Sequence, residues 1–421
     1  MDRVFADFNT PTGPVKPMHA INNGPAAHHA FAAAGIPYVR NHDASIIYQY
    51  GGEHVVDVHA IFPDFDADET DPENYDFDLT DELVGGYQSI GSEVFYRLGT
   101  KIEHWSKKYA TLPPKDFGKW ARISEHIIRH YTEGWADGFN YKITYWEIWN
   151  EPDLGAPCWG GTKEQFFEFF LTALTHLKSC FPHLKIGGPA MAMGRDWAAE
   201  LFAMMQEKGI GLDFYSWHCY GTAVEKMVEK MQFFRDLLDK NGFTETESIC
   251  NEWNFIINWS DRLTESAIAT ITMPGAAFTA ACMLASQQGP MDMLMYYGAH
   301  PGSMNGLFDY YTGRCLKGYY PFPMFNTLYR LGTSVKVACE GDGLYAAAAK
   351  DENGNSAIML TVYGFEKDIP CQNITPEISG GADAYEIFLL DENHDNVSVG
   401  IWHPGETISA ENMSVILLKS L

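Results

Sequence analysis

The chain has 421 residues, of which 46% are hydrophobic and 14% aromatic, so it can build two or three ordinary domains or one large barrel with an addition. Its net charge of −26 argues against binding to nucleic acid or to an anionic membrane, because both need clustered Lys and Arg. The eight cysteines are scattered without a CxxC pair, which predicts free thiols rather than disulfides or a zinc site. The first residues, MDRVFADFNTPTG, lack the apolar run of a signal peptide, and we expect a cytoplasmic protein.

Short apolar strands alternate with helical patterns from residue 28 to residue 298. This alternation predicts a parallel sheet, and about eight strand–helix units over roughly 320 residues predict a (β/α)8 TIM barrel. The predicted strands are PYVRNH (37–42), SEVFYRLG (92–99), YWEIWNE (145–151), LKIGGPA (184–190), LDFYSWHCYG (212–221), ESICNEWN (247–254) and MDMLMYYG (291–298). The predicted helices cover 28–36, 78–91, 116–135, 162–181, 195–209 and 224–242.

One uncharged stretch, residues 266–291, has the length of a membrane span. Pro274 and Gly275 interrupt it, and its side chains are small, with Ser, Thr and Gln among them. These features favour a buried helix of a large α/β protein over a helix in a bilayer.

The pattern changes after about residue 335, where short alternating strands follow one another with turn residues between them. This pattern predicts an accessory C-terminal antiparallel β-sandwich. An N-terminal strand, VFADF, precedes the barrel. We therefore assign residues 15–334 to the catalytic barrel, and residues 1–14 together with 335–421 to the β-sandwich domain.

Two of the predicted barrel strands end on an Asn-Glu pair. YWEIWNEP ends on Glu151, and SICNEWNF carries Glu252. Strand alternation puts Glu147, Trp149 and Glu151 on one face, with Glu147 deeper in the barrel as a buried, paired carboxylate. Because the carboxyl ends of barrel strands share one face, Glu151 and Glu252 are predicted to form one site.

Two carboxylates among aromatic side chains are typical of glycoside chemistry. Breaking a glycosidic bond needs a proton donor for the leaving oxygen and a carboxylate to meet the charge at the anomeric carbon. The two groups must therefore differ in pKa. Aromatic rings stack on sugar faces, and Trp159 and Trp253 are the candidate platforms close to the two glutamates in sequence. A non-catalytic sugar-binding barrel is the alternative from another class.

WNEP on the fourth barrel strand, with a second Glu on the seventh, resembles the clan of retaining (β/α)8 glycosidases. The segments AGIPYVRNHD, YWEIWNEPDL, LDFYSWHCYG, SICNEWN and MYYGAHPGSMNGLFDYY resemble, more narrowly, glycoside hydrolase family 39, which contains β-xylosidases and α-L-iduronidases. The resemblance implies that Glu151 is the general acid/base, that Glu252 is the nucleophile and that Tyr220 orients it. The positions it assigns to binding of the sugar are His42, Asn150, His218, Tyr220 and Tyr297.

A retaining β-D-xylosidase that acts on a non-reducing-end sugar is the leading expectation, with an oligosaccharide or a small glycoside as substrate and no cofactor or metal. The segment GAHPGSMNG (298–306) lacks the adjacent glutamates that xylosidases carry there, so an arabinosidic, glucosidic or uronic-acid glycoside, or release of a disaccharide, stays open. The resemblance also implies a homo-oligomer formed near the sandwich. The acidic loop 63–78 either shapes the pocket or is simply solvated.

Overall fold

The computed structural model describes residues 3–24, 29–42, 55–299, 306–367 and 369–421. A first strand, β1 (Arg3–Pro14), belongs to an accessory sheet, and eight parallel strands then close into a barrel. The barrel closes because the first of its strands pairs with both the second and the last. The barrel strands are β2 (Ala20–Asn22), β3 (Tyr38–Arg40), β4 (Glu93–Leu98), β5 (Tyr145–Ile148), β6 (Lys185–Met191), β7 (Phe214–Gly221), β8 (Glu247–Phe255) and β9 (Met293–Tyr297).

Helices surround the barrel, and their ends carry the expected caps. Asp116 accepts a hydrogen bond from the backbone N–H of Lys119, and Thr162 and Gln165 form a reciprocal capping box. The helices are α1 (His29–Ala34), α2 (Val58–Ile61), α3 (Asp78–Ser89), α4 (Phe117–Glu133), α5 (Lys163–Cys180), α6 (Arg195–Lys208), α7 (Val224–Lys240), α8 (Leu263–Thr270), α9 (Met273–Gln288) and α10 (Pro321–Leu331). Short 3₁₀ helices cover Pro72–Asn74, Trp135–Asp137, Pro152–Leu154 and Lys317–Tyr319.

The interior of the barrel is apolar at one end and polar at the other. Phe95, Tyr145, Phe214 and Ile249, near the starts of their strands, form a compact inner cluster. Further along the same strands the inward positions carry polar side chains such as Glu147. The alternate, outward positions, among them Trp146, Tyr215, Trp217 and Cys250, join the large core shared with the helices. The buried charged side chains of the strands, Arg40, Arg97, Glu147 and Glu252, thus lie toward the carboxyl end, where the site lies.

The uncharged stretch forms α8 and α9, which are bent by 75° at the break between them. Within the described residues no single helix is long and apolar enough to cross a bilayer, and this bent pair passes that test only as a pair, by length and composition. Most side chains of α9 are buried, and the helix packs against α7, α10 and the accessory sheet.

The accessory strands form one continuous nine-stranded sheet, in the order β15-β14-β17-β12-β11-β10-β1-β13-β16. One face carries Ala348 and Ile358 into the sheet's own core, and the other carries Ala347 and Met359 into the core shared with the barrel. The predicted barrel and accessory β domain are confirmed, although the β domain is a single curled sheet and the pair β1–β13 is parallel. Its other strands are β10 (Thr333–Glu340), β11 (Leu344–Lys350), β12 (Ser356–Val362), β13 (Gln372–Ser379), β14 (Tyr385–Leu390), β15 (Asp395–Trp402), β16 (Ile408–Ala410) and β17 (Ser414–Ser420).

The acidic loop 63–78 lies against the start of α4. Lys115 Nζ is 2.7 Å from a carboxylate oxygen of Asp66, and Arg122 Nε is 2.7 Å from one of Glu69. The basic side chains beside α4 therefore neutralise part of the charge of this loop.

Candidate active site

The backbone at the end of β5 leaves the strand conformation before it reaches the predicted catalytic glutamate. β5 ends at Ile148, and Trp149 and Glu151 have φ values of +74° and +48°. Both angles lie in the left-handed region, which costs non-glycine residues about 1–3 kcal/mol and is concentrated at functional sites. The predicted alternation is therefore wrong here: Trp149 packs outward into the core, while Asn150 and Glu151 both face the interior. A Cβ at Gly99 would lie 3.1 Å from the Cα of Trp149, so this turn needs a glycine beside it.

A β-bulge on β8 orients the second glutamate. Trp217 pairs with Cys250, but the next residue, His218, pairs with Glu252, so Asn251 is one extra residue. As a result Asn251 and Glu252 both point into the barrel, where Asn251 donates to Glu147 and Glu252 accepts from Tyr220. Bulges commonly redirect side chains beside active sites in this way.

The ring of His218 lies between the two predicted catalytic residues. Its Nδ1 is 2.7 Å from Oε1 of Glu151, and its Nε2 is 3.6 Å from Oε2 of Glu252. One ligand atom from each of these three residues lies within 4.8 Å of the others. Such a trio also has the spacing of metal ligands, but both oxygens of Glu252 already accept hydrogen bonds, Oε1 from Tyr220 and Oε2 from Arg40. The structure thus brings Glu151 and Glu252 into one buried site.

Burial raises the pKa of Glu252 above its ordinary value, and the nearby charge of Glu151 raises it further. Arg40 and the hydroxyl of Tyr220 oppose this effect, since both stabilise the carboxylate. The Tyr220 hydroxyl donates to Oε1 of Glu252 over 2.5 Å. Burial, followed by the charge of Glu252, raises the pKa of Tyr220 far above its ordinary value, so this hydroxyl remains a donor at neutral pH.

Arg40 is a buried hub that the sequence-based list of site residues did not contain. Its Nε donates to Glu147 over 2.7 Å, and its Nη2 donates to Oδ1 of Asn150 over 2.7 Å. Its Nη1 donates to Oδ1 of Asn22 over 3.0 Å and to Oε2 of Glu252 over 3.2 Å. The signal was a charged residue inside an otherwise apolar strand, which must find buried partners. Arg40 pairs with Glu147, which was expected to be a buried, paired carboxylate, and it also positions Asn150 and Glu252.

Asn150 has one hydrogen-bonding group to spare. Its Oδ1 is taken by Arg40, while its buried Nδ2 has no hydrogen-bond partner among the described residues. An orphaned buried donor is costly unless a ligand completes it. This geometry suits the predicted contact of Asn150 with a sugar hydroxyl.

His42 is buried, and its ring centre lies 6.5 Å from that of the half-buried Tyr297, whose backbone carbonyl accepts from Asn254.

The two tryptophans predicted to line the pocket are core residues instead. Trp253 is 0% exposed, because the bulge turns it outward against Phe278 on α9. Trp159 is 1% exposed, its ring packs edge-to-face on Trp149, and its Nε1–H donates to the backbone carbonyl of Thr162. Neither ring is available to a sugar.

An aromatic ring does lie beside the site, on the loop that follows β8. Trp259 is 59% exposed, and its ring centre lies 5.0 Å from that of Tyr220 at an interplanar angle of 76°. A large exposed aromatic next to a catalytic cleft is typical of ligand contact. Trp253 and Trp259 both follow Glu252 in sequence. They differ in exposure because the backbone turns Trp253 into the core and leaves Trp259 at the surface.

Comparisons with known proteins show which family this chain resembles. The sequence model described as Glycosyl hydrolases family 39 matches residues 74–248. A beta-xylosidase from Geobacillus stearothermophilus is 26% identical over 210 residues, and one from Caldicellulosiruptor saccharolyticus is 30% identical over 158 residues. Over these residues the chain is similar to glycosyl hydrolase family 39. The matches cover 43% and 35% of this chain, and 41% and 32% of the two relatives.

Solved structures support the fold over the whole length of the chain. A glucosidase from Croceicoccus marinus has a TM-score of 0.79 at 22% identity and covers 100% of this chain and 98% of that chain. A monomeric beta-xylosidase from Caulobacter crescentus has a TM-score of 0.72 at 16% identity, with 100% of both chains covered. At these identities the likeness concerns the fold alone.

Proposed function

We propose that this protein is a retaining glycosidase in which Glu151 is the acid/base and Glu252 the nucleophile. The observation that carries the proposal is the approach of the two carboxylates around His218, where an oxygen of each lies within 4.8 Å of the other. Retaining enzymes hold their carboxyl groups about 5–5.5 Å apart, whereas inverting enzymes need about 6.5–9.5 Å to admit a water molecule between them. The short separation favours double displacement. The family match ends at residue 248, so the assignment of Glu252 depends on this geometry and on its sequence segment.

In the first step the protonated Glu151 gives its proton to the glycosidic oxygen, and a carboxylate oxygen of Glu252 attacks the anomeric carbon. The bond to the leaving group breaks, and the sugar becomes an ester of Glu252. In the second step of the proposed mechanism the Glu151 carboxylate takes a proton from water, whose oxygen attacks the same carbon and releases Glu252. Each step inverts the anomeric carbon, so the net result is retention.

His218 supports the protonation pattern that this mechanism needs. Burial lowers the pKa of His218 to about 4, so the ring is neutral at neutral pH. A neutral ring with its proton on Nε2 can accept the proton of Glu151 at Nδ1, over the observed 2.7 Å, while its N–H faces the Glu252 carboxylate. This tautomer stabilises a proton on Glu151 and a charge on Glu252, which are the states of an acid and a nucleophile.

A β-D-xyloside is the favoured substrate, since the two curated relatives above are named beta-xylosidases. An arabinosidic or glucosidic substrate is the second candidate. The segment 298–306, which lacks the adjacent glutamates of xylosidases, bears on this choice, but its residues 300–305 lie outside the described residues. A uronic acid fits less well, because both fully buried arginines already hold carboxylates: Arg40 binds Glu147 and Glu252, and Arg97 binds Asp57.

Hydrolysis of p-nitrophenyl glycosides tests the proposal. The panel comprises the β-xyloside, α-arabinosides, β-glucoside, β-galactoside and an α-L-iduronide, and we expect release from the β-xyloside. Glu252→Ala should abolish that release, and azide should restore it with formation of a glycosyl azide of inverted configuration. Glu207→Ala, an exposed glutamate on α6, is the control and should be fully active. Full activity of Glu252→Ala would refute the mechanism, and sugar binding without hydrolysis of aryl glycosides or xylo-oligosaccharides would leave a binding barrel.

A further inference from the structure

A second cluster of metal-ligating side chains lies on the outside of the barrel, where α4 and α5 pack side by side. His176 and Cys180 are four residues apart on α5, so they project from one face of that helix. Glu125 on α4 faces them, with its Oε2 2.7 Å from Nε2 of His176. The sulfur of Cys180 lies 3.8 Å from the same nitrogen, and the three ligand atoms are within 4.8 Å of one another.

We propose that Glu125, His176 and Cys180 form a binding site for a divalent metal ion of the zinc class, with water as the fourth ligand. One oxygen, one nitrogen and one sulfur are ligands that zinc accepts in tetrahedral sites. The usual bond lengths to zinc require about 3.3 Å between oxygen and nitrogen and about 3.6 Å between nitrogen and sulfur. The observed 2.7 Å and 3.8 Å are within reach of small side-chain rotations, since the hydrogen bond lengthens when its proton leaves.

The surroundings of the cluster leave one face of Glu125 open to an ion. Arg129 donates only to Oε1 of Glu125, over 2.9 Å, so Oε2 remains on the side of His176 and Cys180. Outer contacts of this kind commonly orient a ligating carboxylate. All three residues are partly exposed, which gives an ion a path from solvent.

Metal binding here is a proton exchange with no change in oxidation state. The Cys180 thiol loses a proton to solvent, while the proton on Nε2 of the neutral His176 ring moves to Nδ1, so that Nε2 can bind the metal. Burial, together with the charge of Glu125, raises the pKa of Cys180, so the thiol is protonated at neutral pH before the metal enters. The bound ion would join α4 to α5, the helix that follows the strand carrying Glu151.

Titration of the reduced, full-length protein with Co²⁺ tests the site, because a thiolate bound to cobalt gives a charge-transfer band in the near ultraviolet. We expect a band that saturates at one ion per chain and is displaced by Zn²⁺. Cys180→Ser should abolish the band, and His176→Ala should weaken binding by at least about tenfold. Cys371→Ser, which removes an exposed thiol elsewhere, is the control and should leave the titration unchanged. The active-site trio contains no thiol and cannot produce the band.

The cobalt charge-transfer band decides the proposal. Because the substituted residues are partly exposed, we expect the variants to fold, and circular dichroism checks this. Absence of the band in the unaltered protein, or its survival in Cys180→Ser, would overturn the site. A rise in Tm with Zn²⁺ that is lost in both His176→Ala and Cys180→Ser would support it independently of glycosidase activity.

Discussion

Replacement of Tyr220 by Phe should shift the acidic limb of the pH–rate profile to higher pH. The Tyr220 hydroxyl donates to Glu252 over 2.5 Å and lowers the pKa of that carboxyl. A hydrogen bond to a charged group contributes about 1.5–3 kcal/mol, and one pKa unit corresponds to about 1.4 kcal/mol. Loss of the bond should therefore raise the pKa of Glu252 by about 1–2 units. Since Glu252 attacks as a carboxylate, activity then disappears at a correspondingly higher pH.

The profile of kcat/KM against pH for the best aryl glycoside measures this shift, because its acidic limb reports the essential base of the free enzyme. Tyr215→Phe is the matched control. It lies on the same strand but faces outward, and its buried hydroxyl has no partner among the described residues. Its profile should be unchanged. An acidic limb that stays in place in Tyr220→Phe, or moves equally in Tyr215→Phe, would refute the assignment of this limb to Glu252.

Other substitutions separate the roles of neighbouring residues. Glu151→Ala should slow substrates with poor leaving groups far more than activated aryl glycosides, and equal losses on both would remove Glu151 from the acid role. His218→Asn should lower kcat/KM and narrow the pH range, because the group that bonds Glu151 is changed; an unaltered profile would contradict its part in protonation. Trp259→Ala should raise KM without loss of stability, whereas Trp253→Ala should cost about 3–5 kcal/mol of folding free energy in denaturant unfolding. A stable Trp253→Ala with raised KM would reverse this assignment.

The general architecture, and the placing of Glu151 and Glu252 in one site, could be predicted from the sequence because both depend on short-range patterns. The strand–helix period predicts the barrel, and polar residues at strand ends mark the face where chemistry occurs. Glu151 and Glu252 were found by this rule although they are a hundred residues apart. The β domain was also recognisable, but alternation along its strands does not reveal that both faces of a single sheet are buried.

The direction of individual side chains could not be predicted, because it depends on local departures from regular strands. The positive φ of Trp149 sends that ring outward and Glu151 inward, and the bulge at Asn251 turns Trp253 away from the pocket. Neither position carries a glycine or a proline that would have marked the departure in the sequence. Strict alternation therefore gave the wrong face for Trp149, and nearness in sequence favoured Trp253 over the exposed Trp259.

Arg40 gives Glu252 and Glu151 different surroundings, which bears on the roles proposed for them. Its single positive charge contacts Glu147 and Glu252, and it opposes the rise that burial causes in the pKa of Glu252. Glu151 is bonded instead to His218, whose neutral ring can accept a proton. In the proposed mechanism a proton is therefore less costly on Glu151, which would give it to the leaving oxygen, than on Glu252. In the proposed mechanism Arg40, which donates to Glu252, thus helps to make Glu252 the nucleophile and leaves the role of the acid to Glu151.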